Sequence, residues 1–357
     1  MNSEAVVFYC PPYLTRTPSD FGIGSNPVES DMSVIFTKAF QKYGKVPFFP
    51  VEWLQQDGQI RANLDSFEEC LKQANSVAET VKVIFVWNCK PHDSPRMTEV
   101  FSRLDDFKNL HNNVKVISMI PDSWYGSFRG HPDKYKDYFQ SYANVCDKTI
   151  VFCDSVIPFL RHLGANEMAD KIHYIPFLPI LLNEHKFENK SLGLCFIGTV
   201  RGARRTAFDT VRNAFPEMNH YFYDGGRNLH GSQIREYQSY LDKVGDSVYT
   251  VTTSTRPAFK EGDFLFSSVV PGRFCESLVS MTILIYFQEN DDDFLPKIVH
   301  ESGCCIYIKA GDTKEQVIEK ITKTPVEEIR KNMMKFYHEY MAPDVVLPKI
   351  LDMNYER

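Results

Sequence analysis

The sequence predicts an α/β protein in which two Rossmann-like domains face a cleft. Short apolar segments alternate with helical segments through the first half of the chain, a polar stretch interrupts the alternation, and a second alternation follows. A chain of 357 residues, 43% of them hydrophobic and 24% charged, can form two such cores. The composition excludes disordered, collagen-like, coiled-coil and small disulfide-stapled proteins.

The N-terminal domain is predicted over residues 1–180. Two of its helices are followed by glycines, Gly44 and Gly164, which favour the backbone conformation that closes a helix. Strands separated by helices indicate βαβ units and therefore a parallel sheet. The predicted strands are residues 5–10, 81–87, 114–120 and 149–153, and the predicted helices are 31–43, 133–143 and 155–163.

The C-terminal domain is predicted over residues 190–340, after a polar linker at 183–191. Residues 341–357 form a predicted C-terminal tail that could pack back on the N-terminal domain. The predicted strands are residues 192–197, 220–223, 247–252, 282–287 and 304–308, and the predicted helices are 204–214, 232–244, 274–280, 313–322 and 326–340.

The composition also bears on location and partners. The nine cysteines form no C-x-x-C pair, and several lie in apolar runs, which favours free thiols in a reducing compartment. We expect no signal peptide and no membrane span, because apolar runs stay far below about 18–20 residues. The net charge of −6 gives no electrostatic footprint for nucleic acid. The prediction is a cytoplasmic protein that binds no nucleic acid.

One candidate anion site follows the strand at 192–197. A glycine-containing turn, Gly198-Thr-Val-Arg-Gly202, leads into a helix that begins with Arg204 and Arg205. Backbone N–H groups and guanidinium groups in such a turn suit a phosphate. Neither a dinucleotide fingerprint nor a Walker A loop is present. An ordinary turn with solvated arginines remains the alternative.

A second candidate pair is Arg273 and Glu276. Three residues apart, they share one helix face in the first turn, just before the strand at 282–287. An arginine there suits a diphosphate, and a glutamate suits the two hydroxyls of a ribose. The alternative is a common surface ion pair.

Residues 145–310 resemble GT-B glycosyltransferases, especially the exostosin-like and CgeB-like enzymes. The resemblance is carried by Arg273-Phe274-Cys-Glu276-Ser-Leu278 with Leu295-Pro296, by Phe196-Ile-Gly198-Thr199 with Arg204-Arg205, and by a segment from Asp147 to Phe177. The usual Ala-Gly turn of that family is Val279-Ser280-Met281 in this chain.

The resemblance implies a nucleotide-sugar donor, with UDP as the expected nucleotide, held by the C-terminal domain. Arg273 would neutralise the diphosphate, and Glu276 would hold the ribose. The nucleobase would lie against the loop at Tyr223-Asp224-Gly225 or the loop from Thr252 to Phe259. The implied donor-binding residues are Gly198, Thr199, Arg201, Tyr223, Arg273, Phe274 and Glu276. GT-B enzymes usually stabilise the leaving group with protein cations and dipoles. We therefore expect no metal and no cofactor, and interpret Asp291, Asp292 and Asp293 as a solvated loop.

Retaining GT-B enzymes often carry a glutamate before the ribose-binding one, at the position of Val269, so inversion is favoured. An inverting reaction needs a base, which would come from the N-terminal domain. Candidates are Asp20, Asp122 and His131, with Asp20 first because its loop is long and glycine-bearing. His92 and Asp93 also follow a predicted strand. Trp87 and Trp124 could stack on an acceptor sugar. Each has a structural alternative. Asp20 and Asp122 could be turn or helix-cap residues, and His92 and His131 could be surface residues. The two tryptophans could belong to the core.

The predicted function is glycosyl transfer, of a hexose or a pentose, from a UDP-sugar to a hydroxyl of a glycan or glycoconjugate. Two alternatives stay open: a nucleotide- or sugar-binding protein without transfer chemistry, and a GT-B type sugar-nucleotide epimerase. A reachable carboxylate base, together with hydrolysis or transfer of a UDP-sugar, distinguishes the glycosyltransferase from these alternatives.

Overall fold

The computed structural model divides into two compact units. One contains Met1–Pro176 and Leu347–Arg357, and the other contains Phe177–Val346. Each unit is built on one parallel sheet, which confirms the predicted α/β class with two Rossmann-like sheets. The structure describes residues 2–10, 31–56, 59–86, 95–120, 131–153, 155–188, 190–198, 204–224, 237–253, 259–261, 264–266, 272–289 and 295–354.

The first unit has a six-stranded sheet in the order β2-β1-β5-β6-β7-β8, and a separate antiparallel pair, β3 and β4. Its central strands are buried on both faces, as in other parallel sheets covered by helices. The strands are β1 (Asn2–Tyr9), β2 (Phe48–Pro50), β3 (Trp53–Gln56), β4 (Gln59–Ala62), β5 (Ala78–Val86), β6 (Val114–Ile120), β7 (Lys148–Val151) and β8 (Ile172–Tyr174).

The helices of the first unit bury one apolar face each. In the second of them, Phe67, Leu71 and Ala74 recur at helical spacing and are fully buried, and the side chain of Asn63 accepts a hydrogen bond from the backbone N–H of Ser66 at 3.0 Å. The helices are α1 (Asp31–Tyr43), α2 (Leu64–Val77), α3 (Pro95–Leu110), α4 (Pro132–Val145), α5 (Val156–His162) and α6 (Asn166–Asp170).

The second unit has a five-stranded parallel sheet in the order β10-β9-β11-β14-β15, and an antiparallel pair, β12 and β13. The strand order reverses at β9, because β10 lies on one side of it and β11 on the other. The strands are β9 (Leu192–Gly198), β10 (His220–Asp224), β11 (Ser247–Thr253), β12 (Phe259–Glu261), β13 (Phe264–Phe266), β14 (Ile283–Gln288) and β15 (Cys305–Lys309).

Helices of the second unit surround a core of aromatic rings. Phe274 meets Phe336 edge to face at 5.5 Å, and both contact Phe177. The chain passes from the second unit back to the first within its last helix. The helices are α7 (Arg204–Ala214), α8 (Tyr237–Gly245), α9 (Gly272–Val279), α10 (Lys297–His300), α11 (Lys314–Thr322), α12 (Val326–Phe336) and α13 (Pro343–Leu351), with a 3-10 turn at Glu184–Lys186 and a π-helical turn at Tyr337–Met341.

Several general features hold for the described part of the chain. Its eight cysteines are all free thiols, and burial raises the pKa of Cys146 and of Cys275 to about 12. Among the described helices, none has the length and apolar character needed to cross a membrane. Within the same residues, no three His, Cys, Asp or Glu side chains gather as a metal site would require.

Candidate functional site

The candidate site lies in the second unit, at the carboxyl end of β9. In open parallel sheets, ligands bind outside the carboxyl ends of the strands at the point where the strand order reverses. Ile197 and Gly198 end β9 and pair with Tyr223 and Asp224 at the end of β10. The first turn of α9 reaches the same point, because the Arg273 guanidinium donates from Nη2 to the carbonyl of Ile197.

Helix α9 buries one face and turns its polar residues toward the strand end. Phe274, Cys275 and Leu278 are buried, whereas Arg273 and Glu276 lie on the other side of the helix. Phe274 keeps only 1% of its surface exposed and packs against Phe177 and Phe336. Its place in the structure is the core of the unit, although the sequence places it among the donor-binding residues.

Arg273 and Glu276 form a largely buried pair. Their side chains are 15% and 13% exposed, and Arg273 Nε lies 4.0 Å from Glu276 Oε2. A solvated surface pair, the alternative raised by the sequence, would be far more exposed. Arg273 Nη1 is buried and has no hydrogen-bond partner among the described residues. A buried guanidinium nitrogen without a partner indicates a position for an acceptor group.

Tyr240 of α8 contacts both members of the pair, and these three residues are called the Arg273 cluster below. Its hydroxyl donates to Glu276 Oε2 at 2.6 Å, and its ring centroid lies 5.3 Å from Arg273 Cζ. The hydroxyl bond has the length of a charge-assisted hydrogen bond, and the ring lies within cation–π distance. Sequence reasoning missed Tyr240, because it precedes Glu276 by 36 residues and belongs to another helix.

The pKa values in the cluster follow from burial and charge. Burial acts to lower the pKa of Arg273, but the neighbouring Tyr240 and Glu276 side chains raise it, and the net direction is upward. The pKa of Tyr240 lies well above its usual range, first because of burial and also because of the negative charge of Glu276. Arg273 is therefore a cation, and Tyr240 is a neutral hydrogen-bond donor.

Two further predicted residues lie at this strand end. An ideal Cβ at Gly198 would lie 3.4 Å from Arg273 Nη2, so the glycine leaves the guanidinium room beside the strand. Tyr223 stacks with Tyr221, whose ring lies 4.5 Å from Lys243 Nζ of α8. Tyr223 therefore lies on the sheet face that carries α8 and the Arg273 cluster.

Solved structures resemble this architecture. An α-glucosyltransferase in complex with UDP-glucose and DNA containing an abasic site superposes with a TM-score of 0.54 at 9% identity, covering 99% of this chain and 100% of its own. Its fold is of the GT-B type, with two Rossmann-like domains.

This chain has the GT-B fold.

Weaker likenesses accompany that GT-B match. A trehalose 6-phosphate synthase from Burkholderia multivorans gives a TM-score of 0.48 at 8% identity, covering 98% of this chain and 96% of its own. TarM from S. aureus gives a TM-score of 0.46 at 12% identity. The match covers 83% of this chain, and this chain spans 60% of the length of TarM. No family model and no curated protein matches the chain. These similarities show the GT-B fold and do not assign the chain to the exostosin-like or CgeB-like subgroup.

The remaining predicted residues of this GT-B chain are placed as follows. His131 is exposed and stands immediately before α4 in the first unit, where its side chain makes no capping hydrogen bond. Arg205 of the anion-site turn is engaged by Asp209 at 2.8 Å and by the ring of Phe222. The residues named in the sequence analysis that lie outside the described part of the chain are Asp20, Trp87, His92, Asp93, Asp122, Trp124, Thr199, Arg201, Val269, Asp291, Asp292 and Asp293.

Proposed function

We propose that this protein is a glycosyltransferase that moves a hexose or pentose from a UDP-sugar to a hydroxyl group of a glycan or glycoconjugate. The observation that carries the proposal is the buried Arg273 guanidinium, which presents an unpartnered Nη1 at the carboxyl end of β9 beside Glu276. The fold is compatible with this function, since the α-glucosyltransferase neighbour is in complex with UDP-glucose.

Arg273 would bind the diphosphate and stabilise it as the bond to the sugar breaks. Negative charge grows on the leaving diphosphate in the transition state, and a fixed cation in a buried site stabilises that charge without reorganisation. The guanidinium is already oriented by the Ile197 carbonyl and the Tyr240 ring, while Nη1 remains available. Gly198, Thr199 and Arg201 are proposed to line the phosphate side of the site.

Glu276 would bind the ribose of the nucleotide. Tyr240 occupies carboxylate oxygen Oε2, and the described residues offer no hydrogen bond to Oε1. An ionised carboxylate oxygen accepts hydrogen bonds from hydroxyl groups, and a ribose offers two adjacent ones. Tyr223, on the same sheet face, is the proposed neighbour of the nucleobase.

The acceptor side of the proposal rests on the sequence. Asp20 is the proposed base that takes the proton of the acceptor hydroxyl, with Asp122 and His131 as the next choices. Trp87 and Trp124 are proposed to stack on the acceptor sugar. The reaction is proposed to invert the anomeric configuration, because Val269 stands where retaining enzymes often carry a glutamate, and to need neither metal nor cofactor. Free cysteines support a reducing, cytoplasmic location.

Calorimetry with UDP in the presence of a chelator tests the proposal. We expect the wild-type chain to bind UDP, and Arg273→Ala to weaken that binding at least about tenfold, as loss of a charge-assisted contact does. The matched control is Arg212→Ala, which removes an arginine from another i,i+3 ion pair of the same unit, with Asp209. We expect this variant to bind like the wild type.

Three results would contradict the proposal. The first is an absence of UDP binding at millimolar concentration, and the second is binding that the chelator abolishes, which would indicate a metal-dependent site. The third is equal affinity for Arg273→Ala and Arg212→Ala. Binding of UDP-sugars without any transfer or hydrolysis would instead favour a nucleotide-sugar-binding protein.

A further inference from the structure

We infer, on the basis of the proposed function, that Tyr240 is a positioning residue of the donor site, which holds Glu276 away from Arg273 so that both side chains remain available to the nucleotide. Tyr240 contacts both members of the pair: its hydroxyl donates to Glu276 Oε2 at 2.6 Å, and its ring lies 5.3 Å from Arg273 Cζ.

The distance between the charged groups supports this role. Arg273 Nε and Glu276 Oε2 are 4.0 Å apart, whereas an arginine and a carboxylate in direct contact approach to about 2.7–2.9 Å. The oxygen that would close this gap is the one that accepts the Tyr240 hydroxyl. Tyr240 therefore competes with Arg273 for the same carboxylate oxygen.

The fold keeps Tyr240 in place and in its donor form. Tyr240 is only 7% exposed on the buried face of α8, and its ring stacks with that of Tyr237 at 6.1 Å. Burial raises the pKa of Tyr240 well above its usual range, so its hydroxyl keeps its proton. A rigid, neutral donor in this position can hold a carboxylate without adding a competing charge.

The consequence for the ligand concerns both charged side chains. If Glu276 moved onto Arg273, the guanidinium would be neutralised before the diphosphate arrived, and the carboxylate would be turned away from the ribose. With Tyr240 in place, Arg273 Nη1 and Glu276 Oε1 are both left without a partner among the described residues. The pair is thus arranged for an incoming ligand that carries negative charge and hydroxyl groups.

Tyr240→Phe tests the inference, because it keeps the ring and removes only the hydroxyl. We expect UDP affinity to fall about tenfold and the KM for the donor to rise by a similar factor, with kcat changed by less than about threefold. In a Glu276→Gln background, we expect Tyr240→Phe to cost less than about twofold, since its partner is already altered. The matched control is Tyr249→Phe in β11, which should bind UDP like the wild type.

A crystal structure of ligand-free Tyr240→Phe separates this inference from the proposed function. We expect Glu276 to close onto Arg273 within hydrogen-bonding distance. An unmoved carboxylate overturns the positioning role, as does a full tenfold cost in the Glu276→Gln background. If the wild type binds no UDP, the proposed function fails, and the carboxylate position in this crystal structure still decides whether Tyr240 holds the pair apart.

Discussion

The contacts of the Arg273 guanidinium orient it and leave one of its nitrogens available to a ligand. Ile197 accepts from Nη2, the Tyr240 ring lies against the guanidinium, and Nη1 is buried without a partner among the described residues. A lysine could not reproduce this arrangement, because the planar fork of arginine presents several donors at fixed angles while lysine offers a single point charge. Burial of the cation also strengthens its interaction with an anionic ligand.

Arg273 and Glu276 should differ in their kinetic signatures. We expect Arg273→Ala to lower kcat about 10²–10³-fold, because the cation acts on charge that develops in the transition state. We expect Glu276→Ala mainly to raise the KM for the donor, because the proposed ribose contacts would act equally in the ground and transition states. Initial rates of UDP release measure both effects, and wild-type kinetics in both variants would show that the pair is structural.

At the scale of elements, helices α8 and α9 are held together at the ends opposite Tyr240 and Arg273. Lys190 Nζ donates to the Gly245 carbonyl at 2.8 Å and to the Ser280 carbonyl at 2.6 Å, at the C-terminal ends of the two helices. One side chain thereby anchors both helices that carry the candidate site.

The pH dependence of this anchor can be predicted. The pKa of Lys190 is lowered to about 7, first by burial and then by the nearby charge of Arg330, whereas an unfolded chain keeps it near 10.5. From about pH 7 to 10 the unfolded state binds the extra proton, so the contribution of Lys190 to the free energy of unfolding rises with pH. Below pH 7 the buried charge acts against the fold.

Amide hydrogen exchange of peptides from α8 and α9 measures this effect in the second unit. We expect the protection of the wild type relative to Lys190→Met to increase from pH 6.5 to 9. Comparing the two proteins at each pH removes the intrinsic pH dependence of exchange. Lys243→Met, which alters a lysine within α8 itself, serves as the control, and a protection ratio for Lys190→Met that is constant with pH would contradict the prediction.

At the scale of the whole molecule, the chain ends inside the unit in which it begins. Two buried lysines of the first sheet hold the end of α13: Lys148 donates to the carbonyls of Lys349 at 2.9 Å and Asp352 at 2.7 Å, and Lys82 donates to the carbonyl of Leu351 and to Glu4. Burial of two lysines is costly unless they are paired, and here helix carbonyls satisfy them.

We expect Lys148→Met to destabilise the first unit by at least about 2 kcal/mol, because it leaves buried carbonyls without a donor. Burial lowers the pKa of Lys148 to about 8, with Asp352 acting to raise it and Lys82 to lower it. Between about pH 8 and 10.5 the unfolded state binds more protons, so the wild type should gain stability over the variant as pH rises.

Urea unfolding followed by tryptophan fluorescence measures this prediction. All three tryptophans, Trp53, Trp87 and Trp124, belong to the first unit, so the signal reports on that unit. The control is Lys115→Met, an exposed lysine of β6, which should leave the transition unchanged. Equal stability of the wild type and Lys148→Met at every pH would show that these contacts do not hold the chain end.

Several parts of the fold are readable from the sequence because their signals are local. Apolar strands alternate with helices ended by Gly44 and Gly164, and this pattern predicts βαβ units before any contact is known. Helix α2 is absent from the sequence-based prediction, although its signals are present: Asn63 as N-cap, followed by Phe67 and Leu71 at helical spacing. These signals are weaker than the run of apolar residues that marks β5.

The sequence by itself determined the fold class and one half of the candidate site. Arg273 and Glu276 share a helix face because a helix repeats every 3.6 residues, which makes their proximity a local property. Only the tertiary structure decided that this pair is buried, that Arg273 reaches Ile197, and that Tyr240 contacts both side chains. These contacts join residues 36 and 76 positions apart, and their formation depends on how helices pack on the sheet, which no local spacing encodes.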